Sequence, residues 1–178
     1  MTNTTPLKSM QNFALHYLPL MKTLGEQMQQ HNSNIWQQCP FDDMFAAHTQ
    51  WRICCNFILR GFAPLLDKHW PDDFADFENS DDSWQGLLQQ WQKVSDYVMS
   101  LEVSRLTRKN DEEVCTDKAG FATVNLPPDV FINQYIIPNF CFHFSMLYLT
   151  AKQGGVSVSK GHFDGYHKYP ANFSFEQE

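Results

Sequence analysis

Apolar positions recur at helical spacing from the start of the chain. Met10, Phe13, Ala14, Tyr17, Leu18, Met21, Leu24 and Met28 fall on one stripe, which predicts an amphipathic first helix with Pro19 as a point of kinking. A second helix is expected to open after Pro40, where Asp42 or Asp43 would cap free N–H groups and complement the dipole. Its stripe of Met44, His48, Trp51, Cys55, Ile58 and Phe62 alternates steps of four and three, which puts His48 on the inward seam. After an acidic loop from His69 to Asp82, the residues Trp84, Leu87, Leu88, Trp91, Val94, Val98 and Leu101 mark a third helix, capped by Ser80, Asp81 or Asp82.

Between Arg108 and Leu126 the pattern changes. Glu113 to Thr116 and Phe121 to Leu126 favour extended chain around Asp117, Lys118, Ala119 and Gly120, which reads as a short hairpin. Pro127, Pro128 and Asp129 then open a fourth helix, with a kink at Pro138 and an end at Gly154 and Gly155. From about residue 156 the chain reads as an irregular tail packed on the bundle. The expected fold is a single all-α domain over residues 1–178, a four-helix bundle with a small β-hairpin before the last helix.

The fourth helix carries the chemistry. From Ile136 to Leu149 its clearly polar side chains are Asn139, His143 and Ser145, so the pattern leaves no face for water and predicts burial all round. Asn139 and His143 are four apart and share one face, where burial obliges them to find partners.

Composition narrows the classes. A length of 178 residues with 43 % hydrophobic and 15 % aromatic content supports a sizeable core, and a net charge of -7 argues against a nucleic-acid or anionic-membrane partner. No basic and apolar leader and no stretch of membrane-spanning length is present, so a cytoplasmic location is expected. Five cysteines without a CxxC read as reduced core residues. Cys141 and His143 point to different faces of one helix and do not form a nucleophile pair, and the acidic run from Asp72 to Asp82 lacks the glycine and spacing of a calcium loop. His162, Asp164 and His167 match no established ligand spacing; His16 approaches the core from the first helix, and His31 and His69 read as exposed.

Asp43-Met44-Phe45, Gln50, Pro138-Asn139-Phe140 with Phe142-His143, and Gly155-Val156 followed by Lys160 and Phe163 resemble an uncharacterised bacterial family within the DinB/YfiT-like superfamily, over roughly Pro6 to Gly165. The resemblance implies an up-down-down-up bundle, commonly a homodimer. It also implies a divalent metal (Zn, Ni or Mn) held by a helix-two histidine and an HxxxH pair on helix four, and in some members thiol transfer or isomerisation on small thiols such as bacillithiol or mycothiol. His48 matches the first of these and His143 the last, while Asn139 stands where the pair has its first histidine.

Two readings follow. In one, His48, Asn139 and His143 hold an ion that activates a thiol or a water, making the chain a metal-dependent thiol transferase or hydrolase. In the other, the bundle has lost the metal and is a non-enzymatic, dimeric small-molecule-binding or stress-response module, its three side chains satisfying one another with a water. Dimerisation is expected because the apolar side chains of helix four outnumber the places one interior offers. Trp51, Tyr135, Phe140 and Phe142 would suit a small apolar ligand.

Overall fold

The computed structural model describes residues 5–66, 81–102, 114–119 and 121–169. The expectations for His69, Ser80, Glu113, Gly120, Phe173 and most of the acidic run lie outside these. Helix α1 (Pro6–His31) buries Leu7, Met10, Ala14, Leu18, Met21, Leu24 and Met28, the expected stripe extended by one turn. It starts at the Thr5 cap, whose hydroxyl accepts from the Lys8 amide at 3.3 Å, and continues as one helix through Pro19.

Helix α2 (Ala47–Phe62) begins later than its sequence predicts. Asp42 and Asp43 stay in an exposed turn and cap nothing, because the Ala47 amide bonds the Gln38 carbonyl at 2.9 Å and backbone takes the role assigned to a carboxylate. Helix α3 (Trp84–Ser100) is capped by Ser83, one residue beyond the expected set, which accepts from the Gly86 amide at 3.2 Å; Asp81 in turn accepts from the Ser83 amide.

The hairpin pairs β1 (Cys115–Ala119) antiparallel with β2 (Ala122–Leu126), Cys115 opposite Leu126 and Ala119 opposite Ala122. Asp117 and Lys118 belong to the strand rather than the turn. The Asp117 carboxylate docks the hairpin, accepting from the Tyr135 hydroxyl at 2.8 Å and from Arg60 at 3.4 Å, and so is not available to shape a loop.

The last bundle helix has three parts: a single turn, α4 (Pro128–Val130), a π-helical segment Phe131–Ile136, and α5 (Ile137–Gln153). Ile137 bonds back five residues to the Ile132 carbonyl. Pro138 has no N–H for the preceding turn and its ring crowds that turn, and the wide segment just upstream takes up the strain. Gly155 ends the helix at φ +84°, in left-handed backbone. Burial of α5 is not all round: Phe140, Phe144, Leu147 and Ala151 are in the core, whereas Phe142 is 49 % exposed.

The four long helices adjoin in the order α1, α3, α2, α5. The tail is more ordered than expected. Ser159 and His162 form a capping box that starts α6 (Lys160–Asp164), and the Phe163 ring of α6 stacks on Phe144 at 5.0 Å. His16 holds the segment on α1 through a 2.9 Å bond between Nε2 and the Asp164 carbonyl and by stacking on Tyr166. Elsewhere in the bundle Trp36, Trp51 and Trp84 pack ring to ring.

Candidate functional site

Gln50 lies in the first turn of α2, fully buried, and its amide can be oriented without ambiguity. The side-chain nitrogen is 3.1 Å from the Phe45 carbonyl, which can only accept, so Nε2 donates there and Oε1 is left as an acceptor. Oε1 lies 2.7 Å from Nδ1 of His143 across the bundle. Nδ1 therefore carries a hydrogen, and in the neutral ring Nε2 is a lone pair. No protein group among the described residues bonds that lone pair. The ring itself is clamped by Phe57, stacked at 5.8 Å, and Phe142, edge-on at 5.1 Å.

Burial among these groups pushes the His143 pKa down to about 4, because the charged ring would lose hydration that nothing replaces. The unfolded chain takes up this proton near 6.5, so between the two values it binds more protons than the native state. The contribution is complete above pH 6.5 and is lost as the pH falls toward 4. Discounting the full shift for the ring's partial exposure, stability should drop by about 1–3 kcal/mol over that window. Denaturant unfolding at stepped pH checks this, and His143→Gln should flatten the profile there.

Asn139 is fixed by the same reasoning. Its Nδ2 donates to the Tyr135 carbonyl at 2.7 Å, which leaves Oδ1 as an acceptor on the side of α5 that carries His143. Both residues thus keep an acceptor, one an amide oxygen and one an imidazole nitrogen, on one face of the helix. His48 does not join them. Its Nδ1 lies 3.3 Å from an Asp82 oxygen that also pairs with Arg52 at 2.7 Å, so it faces the start of α3. Residues 48 and 50 lie on different sides of α2, and it is Gln50 that reaches His143.

As arranged, the donor set is one imidazole nitrogen and one amide oxygen, poorer than the three-ligand centre expected for Zn, Ni or Mn. Among the described residues no three His, Cys, Asp or Glu side chains come close enough to hold an ion. The thiols offer no nucleophile here: burial pushes Cys54 and Cys141 up, and Cys54 points at the Phe140 carbonyl.

Sequence reasoning placed Asn139 and His143 on one face and missed Gln50, which orients His143. The available signal was Gln50's place among the residues carrying the family resemblance, with no other role in the helix pattern.

A family model described as Domain of unknown function (DUF1993) matches residues 4–164. Among solved structures, a DinB family member protein from Shewanella denitrificans superposes with a TM-score of 0.67 at 18 % identity, covering 95 % of this chain and 94 % of that one. At that identity the likeness establishes the DinB-like four-helix fold alone. No curated protein matches.

Proposed function

The chain belongs to the DUF1993 family, a domain of unknown function, and on that basis we propose that this DinB-like bundle is a small-molecule-binding module whose recognition centre is the acceptor pair Asn139 Oδ1 and His143 Nε2. The observation that carries the reading is the relay from the Phe45 carbonyl through Gln50 to His143, which fixes the tautomer and presents an unprotonated nitrogen. An acceptor pair selects a ligand that donates, such as a thiol or an alcohol. Phe57 and Phe142 favour an apolar body on that ligand.

Nitrogen-15 NMR of the imidazoles tests the premise directly. At pH 6 His143 should be neutral with hydrogen on Nδ1; hydrogen on Nε2, or a charged ring, would sink the reading. Phenylmethanethiol should then shift the Nε2 resonance while its S-methyl thioether, which has no donor, should not. His143→Phe should lose the response.

The metal-dependent thiol transferase or hydrolase is the second reading, with His143, Asn139 and a His48 released from Asp82 as ligands. What favours it is that Gln50 orients His143 from behind, as outer partners orient metal-bound imidazoles. Stoichiometric Zn, Ni or Mn in protein purified without tag or chelator, abolished by His48→Ala and by His143→Ala, would establish it over the first.

The homodimer belongs to this proposal too. Phe142 leaves an apolar side chain at the edge of the site, and pairing through it would enclose the ligand. Light scattering should give a mass near twice 20.8 kDa, reduced toward the monomer by Phe142→Glu.

A further inference from the structure

Lys160 and Phe163, both among the residues that carry the family resemblance, have no part in the His143 site. They lie three apart on α6 and face Ser145 and Tyr148, three apart on α5, across a cleft of about 260 Å³ lined by these four side chains. One wall is aromatic. Phe163 stacks on Phe144 at 5.0 Å and meets Tyr148 edge-on at 6.1 Å, so the ring lining the cleft is held in place from behind.

Among the described residues the polar groups of the lining are hydroxyls and an ammonium, with no carboxylate. Ser145 donates its hydrogen to the Cys141 carbonyl at 2.7 Å and serves only to accept. The Tyr148 hydroxyl has no protein partner among the described residues, and burial raises its pKa, so it remains a donor at neutral pH. Lys160 Nζ lies 3.8 Å from Asp164 and 3.5 Å from His167 Nε2. Asp164 is itself occupied by the amides of Tyr166 and His167 and by the His167 ring, which leaves Lys160 a loose neighbour rather than a closed ion pair.

We propose that the α5–α6 cleft binds a small monocarboxylate with an aromatic or compact apolar body, its ring on Phe163 and its carboxylate between Lys160 Nζ and the Tyr148 hydroxyl. A charge, a hydroxyl donor and an apolar wall are the requirements of such a ligand, and a cleft of this size suits about one ring. The site is separate from the Asn139–His143 centre, with acceptor chemistry there and donor chemistry here. Neither depends on the other.

Benzoate is the probe, with benzamide as its neutral counterpart, followed by calorimetry and by amide chemical shifts of the full chain. Benzoate should saturate with a millimolar or tighter Kd and shift residues 145–148 and 159–165, and benzamide should bind at least tenfold more weakly. Lys160→Met should lose at least tenfold in benzoate affinity and erase the preference over benzamide, whereas Lys160→Arg should retain affinity within about threefold. Tyr148→Phe keeps the ring and should weaken benzoate more than benzamide. No saturable benzoate binding, equal binding of the two probes, an unaffected Lys160→Met variant, or shifts centred on Gln50 and Phe142 would each overturn the assignment.

Discussion

Replacing Gln50 with alanine is expected to cost about 2–4 kcal/mol, seen as a fall in Tm of about 5–15 °C. The residue is fully buried and both ends of its amide are used, so truncation leaves the Phe45 carbonyl and the His143 Nδ1 hydrogen without partners. Gln50→Met separates packing from hydrogen bonding: it fills the space and abandons both bonds, and about 1–3 kcal/mol should persist. Gln50→Glu still accepts from His143 but no longer donates to Phe45, and its charge should raise the His143 pKa from its depressed value. A Gln50→Ala variant within about 0.5 kcal/mol of the parent would mean that water replaces the relay, and the fixed tautomer would go with it.

Trp51→Ala should be more damaging, at about 3–5 kcal/mol for a fully buried indole. Its ring touches Trp36 at 5.6 Å and Trp84 at 5.5 Å between centroids, and its Nε1 donates to the Leu87 carbonyl at 3.0 Å. Opposite lies Gly25, where an added Cβ would stand 2.5 Å from the same ring, so the chain gave up a side chain there to admit the indole. Urea unfolding should show a lower midpoint at unchanged slope. Because Trp51 follows Gln50 directly, the cavity also frees the first turn of α2. The His143 imidazole should then titrate nearer its ordinary value. A loss below about 1 kcal/mol would show that the three indoles do not act as one packed unit.

The helices were legible because their stripes are long and the core they face is continuous. Met10 to Met28 and Leu87 to Val98 are buried much as their spacing requires. The ends were less legible. Asp42 and Asp43 are good caps by composition, yet the choice fell to the Gln38 carbonyl, a backbone group that no residue type advertises. His48 fits the seam of α2 but occupies its first turn, where it meets the Asp82 carboxylate just ahead of α3. The short helix α6 holds too few residues to show a period, and its box uses His162 at the position where glutamate or glutamine is the usual signal. At the site, the shared face of Asn139 and His143 follows from four-residue spacing. Gln50 could not be singled out that way, because an uncharged amide becomes informative only when its carbonyl partner is known.

The π-helical segment before α5 has a consequence for angular phase. Ile132, Ile136, Phe140 and Phe144 are all buried, and they follow one another at three successive steps of four. In a straight α-helix each such step overshoots a full turn by about 40°, so the last would have swung about 120° away from the first. The wide turn between Phe131 and Ile136 unwinds part of that excess before α5 begins. The hairpin anchor at Tyr135 and the imidazole at His143 can therefore be in register with different neighbours of the same helix, one toward Asp117 and the other toward Gln50. Closing the segment to α-helical turns without removing a residue would restore the overshoot of about 40° between Ile132 and Ile136. The bundle could keep one alignment after it, and would have to surrender the other.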